Sequence, residues 1–404
     1  MIKKFIEKNK KHGANAVLSN TNYLIGALFG VSLSVFFIRI AGAERYGEYL
    51  FVLSIFNLLS LISITGVNTI IVKSIAQGYD GVYRKGTYFS FKHSLWGVPF
   101  LLFIGFIFLL QEKSSIGTSL IACSFLFPFL TSLKTWTPAL KGRGDFKTLT
   151  IYNLILYPIL LLSMILAISN FSNNLVVIVF CYVAVQSFFN ILFFITSSRS
   201  FKLDGKIDIH WKKQSYALTI SNLSGIVFGK ADIFIMGLIL APEQIAIYGL
   251  TMKLGDIFFK FIKGTIESVL PKIYKDLSIT LKYFYKPFAL SFIIPLMIIP
   301  IIKYPVTLLY GPGYEDVVFL SQIYLIVIPF YFSYNITLSL LIKNNMNKEI
   351  NHSRILAMLL VFVSYLLLIP LVGVLGGVIS SIIFFVFQTF YNYFALKKNP
   401  SEQH

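Results

Sequence analysis

Long apolar runs alternate with short polar clusters along this chain, and the runs are too long for the core helices of a soluble domain. From about residue 17 almost to the end, stretches of 18 or more mostly apolar residues recur. Each is sufficient to cross a hydrocarbon layer of about 30 Å as a helix. The polar clusters divide the chain into twelve predicted spans, at about 17–40, 46–72, 88–110, 115–140, 149–169, 174–197, 214–240, 245–271, 284–310, 317–342, 353–371 and 374–396. The predicted fold class is therefore all-α: a polytopic membrane protein with about twelve transmembrane helices. No segment between spans exceeds about 20 residues, which leaves no room for a soluble catalytic or nucleotide-binding domain.

The pattern repeats. At a shift of 199 residues, "FG" at 29–30 meets "FG" at 228–229, and "GAERYGEYLF" (42–51) lies over "APEQIAIYGL" (241–250). Glu44 then aligns with Glu243, Tyr49 with Tyr248 and Lys73 with Lys272. A repeat of six spans, an even number, makes both halves enter the membrane in the same direction. The expected architecture is two pseudo-symmetric six-helix bundles, residues 1–200 and 201–404, around a central cavity, with a pseudo-twofold axis along the membrane normal.

One span departs from the apolar pattern. "KLGDIFFKFIKGTIE" (253–267) carries Lys253, Asp256, Lys260, Lys263 and Glu267 where lipid is expected. At 100° per residue these five positions fall within an arc of about 80°, while Leu254, Ile257, Phe258, Phe261 and Ile262 take the other side. A charge facing lipid at mid-depth costs roughly 2.5–3.5 kcal/mol, so the stripe must face protein or a hydrated cavity. The preceding span adds Lys230 and Asp232, at depths that suit ion pairs with Asp256 and Lys253, and the fourth span adds Lys134, with no acid in its own or a neighbouring span. Five lysines against Asp232, Asp256 and Glu267 leave two surplus positive charges, the composition of an anion site. The three acids are candidates for structural ion pairing or for coupling to protons or sodium.

Composition sharpens this reading. The chain is 56% apolar and only 13% charged, with a net charge of +18. Of its 35 basic residues, 26 lie at the N-terminus, in the loops after even-numbered spans and at the C-terminus; four, Arg39, Arg45, Lys113 and Lys303, lie on the opposite side. This asymmetry places both termini in the cytoplasm and assigns the positive charge to topology and anionic lipid, so nucleic acid is not needed to explain it. Cys123 and Cys181 both fall in apolar spans, and there is neither a metal-ligand constellation nor a phosphate-binding glycine loop. His93 reads as a snorkelling interfacial side chain, and Pro287, Pro295, Pro300 and Pro305 should bend the ninth span.

Four stretches stand out: "RIAGAERYGEYLFVLSIFNLLSLISITGVNTIIVKSIAQG" (39–78), "KADIFIMGLILAPEQIAIYGLTMKL" (230–254) with "LPKIY" (270–274), "LLYGPGYEDVVFLSQI" (308–323) and "LIPLVGVLGGVISSIIFFVFQ" (368–388). In order and spacing they resemble the Wzx-like polysaccharide-export flippases of the multidrug/oligosaccharidyl-lipid/polysaccharide (MOP) exporter superfamily. The likeness implies a two-lobed fold that opens alternately to each side of a bacterial cytoplasmic (inner) membrane. It also implies a substrate, an oligosaccharide on undecaprenyl pyrophosphate, moved to the outer leaflet without a cofactor and without catalysis. Its implied partners are membrane lipids and the machinery that polymerises the glycan and sets its length. The family's cationic cavity would correspond to Lys134, Lys230, Lys253, Lys260 and Lys263, and its span-seven aspartate to Asp232. The chain departs from the lipid II flippases, which carry two further spans.

Two other classes compete. A multidrug exporter of the same superfamily would be expected to offer cationic drugs an acidic cavity, whereas this stripe is net basic. A membrane glycosyltransferase or polymerase would need a sizeable outer loop; here the outer turns carry only Glu44, Glu112, Glu243, Glu315 and Asp316 as acids.

Overall fold

The computed structural model describes the backbone of residues 2–201, 207, 209–275, 281–344 and 346–398. It describes the side chains of those residues apart from 2–16, 19, 221–230, 267–275, 282 and 347. Every regular element among them is helical, as the long apolar runs predict. The protein is a polytopic helical membrane protein. Seven described helices are long and apolar enough to span, or nine when each of two bent pairs counts once.

The difference from twelve has identifiable sources. Helix Ile2–Leu59 holds the first predicted span and most of the second, with a break at Gly42 (φ 81°, ψ 173°), a conformation open essentially to glycine. Trp211–Ile239 covers predicted span seven, but ten of its side chains fall outside the described set. Pro242–Lys275 covers span eight, and its charged stripe removes it from the plainly apolar helices.

The bent pairs are Ser114–Ser124 with Phe127–Arg143, at 75°, and Tyr285–Ile298 with Lys303–Tyr310, at 52°. The second is the expected proline-bent span, its break lying at 299–302 around Pro300. Along Lys348–Val372, only 28% of the most apolar window is buried. In water so large an apolar surface would drive aggregation; in a bilayer it is the lipid-facing jacket.

The chain forms two compact units, residues 28–234 and residues 1–27 with 235–404. The first is built around Val67, Ile70, Ile71, Tyr83 and Trp211, and around Trp136, Leu149, Leu156 and Phe193. Tyr49 and Tyr248, which align at the 199-residue shift, are both buried.

Within unit 28–234 the second span breaks between Leu59 and Gly66, and polar side chains satisfy the backbone freed there. Ser90 donates to the Ser63 carbonyl (2.6 Å), and the Gly66 N–H donates to Thr219 Oγ1 (2.9 Å). A Cβ at Gly66 would overlap the Ser215 carbonyl oxygen and lie 2.6 Å from the Thr219 nitrogen, both main-chain atoms. Gly66→Ala must therefore push two helices apart, at a cost of about 1–3 kcal/mol. At Gly377, in the other unit, the first atom met is the flexible Cε of Met236, so Gly377→Ala should cost less than about 1 kcal/mol. Thermal unfolding of the two variants in one detergent checks this contrast.

Candidate functional site: a cationic stripe and a broken helix

Helix Pro242–Lys275 continues for 34 residues because its polar positions never interrupt its apolar face. Leu250, Leu254, Phe259, Ile262 and Ile266 are buried, on the side opposite the charges. Phe259 stacks on Tyr331 (4.3 Å, 12°) and meets Tyr324 and Phe385 edge-on at 5.4 and 5.8 Å. Gly255 allows the Tyr324 ring to lie directly against the helix. This aromatic bed fixes the rotation of the helix and so the direction of the stripe. Lys253 and Lys260 are half-buried, and Asp256 and Lys263 are exposed.

The first span contributes to the same unit. Lys263 Nζ lies 5.7 Å from the Tyr23 ring centroid, in cation–π range. Asn20 packs its amide against Gly264. Sequence reasoning passed over both residues, although "SNTNY" (19–23) is a polar interruption in an otherwise apolar span. Lys253 and Asp256 each engage further polar or electrostatic partners. Lys260 has no acidic partner among the described residues, which leaves it a cation available to an anion. Glu267, the last residue of the stripe, has its side chain outside the described residues.

In unit 28–234, Asp232 is 7% exposed, and its Oδ1 accepts the Ile233 N–H at 2.7 Å, with further partners as well. The Lys230 side chain lies outside the described residues. Lys134 is exposed and sits in the short 3-10 turn Leu133–Thr135, a second interruption of the bent fourth span, between Phe127–Thr131 and Trp136–Arg143 and beyond the bend at 125–126.

Asn190 bridges the two sides of that turn. Asn190, 1% exposed, donates to the carbonyls of Leu130 (3.0 Å) and Phe129 (3.4 Å), and its Oδ1 accepts the Trp136 indole N–H (3.2 Å). Thr135 and Thr87 share a hydrogen bond of 2.7 Å beside it. The bilayer core supplies no water, so a broken helix there needs protein partners for its freed carbonyls, and Asn190 provides them. The sequence signal was present in "QSFFN" (186–190), with polar residues four apart on an apolar helix. Among the described residues no group of His, Cys, Asp and Glu could hold a metal ion.

Comparison with solved structures gives the fold a precedent. An inward-facing multidrug-resistance MATE-family transporter of the MOP superfamily superposes with a TM-score of 0.67 at 13% identity, covering 96% of this chain and 99% of that one. The lipid II flippase MurJ, in an inward closed conformation, gives a TM-score of 0.71 at 13% identity over 94% of this chain and 87% of its own. The fold is that of the MOP-superfamily transporters. A third MOP-fold neighbour, a Pyrococcus furiosus transporter described as having a binding pocket of reverse polarity, gives a TM-score of 0.66 at 10% identity over 96% of each chain. No protein-family model and no curated protein matches the sequence. At these identities the MOP likeness carries the fold, and the choice of substrate falls to the charged residues.

Proposed function

We propose that this MOP-fold protein is a flippase that moves an oligosaccharide linked to undecaprenyl pyrophosphate from the cytoplasmic to the outer leaflet of the bacterial inner membrane, by alternating access of two six-helix lobes. The observation that carries the reading is the basic stripe of Pro242–Lys275, with Lys260 half-buried and lacking an acidic partner among the described residues. A pyrophosphate and its sugars cannot cross hydrocarbon unaided, because their charges and hydroxyls would be stripped of water. Lysines spaced along one helix face can replace that water while the polyprenyl chain stays in lipid. Lys134, Lys230, Lys253 and Lys263 complete the cationic set in this reading. Asp232, Asp256 and Glu267 balance part of the charge and are the groups through which a proton or sodium gradient would reset the lobes. Both termini lie in the cytoplasm, on the side of the basic loops, and the glycan passes to polymerising and chain-length machinery outside.

A second reading rests on a specific finding, since MATE-family multidrug transporters share the fold. The two readings demand pockets of opposite sign. The Pyrococcus furiosus neighbour, with its reverse-polarity pocket, supports the view that one fold can serve substrates of different charge.

The deciding experiment reconstitutes the full chain in liposomes carrying a lipid-linked oligosaccharide in the inner leaflet. Appearance of the glycan to an impermeant lectin outside, dependent on the protein, is expected. No appearance with the native lipid, together with uptake of an organic cation such as ethidium, would replace the flippase by the exporter. A transfer rate indifferent to imposed proton and sodium gradients would remove the coupling role of the acids.

A further inference from the structure

Unit 28–234 contains a second basic site, away from the residues assigned to transport. Helix Gly81–Ser94 presents Lys85, Tyr88, Phe89, Lys92 and His93 on one side, into a recess of about 740 Å³ whose far wall includes Trp211 and Lys212. The wall is rigid. Phe89 meets Trp211 edge-on at 5.2 Å and Tyr216 at 5.6 Å. His93 Nδ1 donates to the Phe89 carbonyl at 2.8 Å, since that oxygen can only accept, and Nε2 bonds the Tyr216 hydroxyl at 2.9 Å. Lys212 Nζ is held 5.9 Å from the Phe89 ring centroid and 5.8 Å from that of Trp211.

Four formal positive charges, on Arg84, Lys85, Lys92 and Lys212, line the recess, and among the described residues no acid does. Among the described residues Arg84, Lys85 and Lys92 have no ion-pair partner; Asp204 and Asp208, in the adjoining segment, lie outside the described residues. A recess in the other unit, by contrast, mixes Lys348 and Lys398 with Glu349.

The same helical face continues past the recess. Trp96, Phe100, Phe103 and Leu110 follow at spacings of four, three and seven residues, all 50% exposed or more. Gly97, Leu101, Gly105 and Phe108 pack on the opposite side. Tyr88 and Trp96, 70% and 67% exposed, sit where the charged part of this face gives way to the apolar part, the position aromatic side chains take at headgroup level. A cation-lined recess thus runs without interruption into a lipid-facing aromatic stripe.

We propose that this recess binds the anionic phosphate headgroup of a membrane lipid, with its hydrocarbon chain along the Trp96–Leu110 stripe. Lysine and arginine supply charge-assisted donors to phosphate oxygens, and the fixed aromatic wall keeps Lys212 from collapsing into water. Ordinary interfacial anchoring would need neither a recess nor the locked His93. The site does not depend on which species the protein transports.

Native mass spectrometry of the full chain in detergent tests the idea, with dioleoyl phosphatidic acid, dioleoyl phosphatidylcholine and inorganic phosphate as separate probes. Phosphatidic acid is expected to bind saturably, phosphatidylcholine at least ten-fold more weakly. Lys85→Gln/Lys92→Gln/Lys212→Gln should weaken phosphatidic acid at least ten-fold, while Lys348→Gln/Lys398→Gln leaves it unchanged. The charge-preserving Lys85→Arg/Lys92→Arg should retain binding, which separates loss of charge from loss of fold. Equal binding by the triple variant and wild type, or equal loss in the Lys348/Lys398 control, would overturn the site. Inorganic phosphate binding as tightly as the lipid would overturn the lipid assignment in favour of a soluble anion.

Discussion

Replacing Lys260 by alanine is expected to cut leaflet transfer of the lipid-linked oligosaccharide at least ten-fold and to leave the thermal unfolding midpoint nearly unchanged. A hydrogen bond to a charged group contributes roughly 1.5–3 kcal/mol, and each 1.4 kcal/mol is about a factor of ten. Lys260 should show that effect most cleanly, being half-buried and without an acidic partner among the described residues. Removing it frees no buried carboxylate, so stability has little reason to change. Lys263→Ala is the informative neighbour. Its ammonium already has the Tyr23 ring beneath it and its side chain is exposed, so a smaller fall in transfer is expected. Transfer by Lys260→Ala at the wild-type rate would make the stripe a structural feature and remove the observation on which the substrate assignment rests.

The direction of that stripe was legible because it is a matter of period. Charges at 253, 256, 260 and 263 define one face of any helix, and the structure packs Leu254, Phe259 and Ile262 on the other. The proline-bent ninth span was legible for a similarly local reason, since a ring without an N–H cannot continue the hydrogen-bond ladder. The breaks in spans two and four were not. Hydropathy reads 46–72 and 115–140 as continuous, because serine, threonine and leucine are acceptable in an unbroken transmembrane helix. What interrupts them is tertiary: Ser90 and Thr219 reaching the break after Leu59, and Asn190 reaching the one before Trp136. Tyr23 and Asn20 escaped notice for the same reason, since their partners lie about 240 residues away on Pro242–Lys275.

Asn190→Leu is expected to be the most damaging single change in unit 28–234. Its side chain joins three polar groups, the partly buried carbonyls of Leu130 and Phe129 and the buried indole N–H of Trp136, which is itself 1% exposed. Leucine has the same number of side-chain heavy atoms as asparagine, branched at the same Cγ, so the main loss is that these groups are left unpaired. An unsatisfied buried group costs about 1–3 kcal/mol, while interhelical hydrogen bonds in membranes are often worth only about 0.6–2 kcal/mol. A combined loss of about 2–4 kcal/mol is the reasonable centre, which for a unit the size of 28–234 unfolding on its own is a fall in midpoint of about 5–10 °C. Gln186→Leu, one turn away, removes only a 3.3 Å contact with Tyr182 of the same helix, so it should stay within about 2 °C of wild type. If Asn190→Leu also stays within that margin, the break is held by backbone geometry and not by the amide. If it falls as expected, transfer should fall with it, because the turn that carries Lys134 is part of the segment Asn190 fixes. Lys134→Ala, which leaves Asn190 and its three partners intact, should then lower transfer without the loss of stability, separating the cation from the scaffold that positions it.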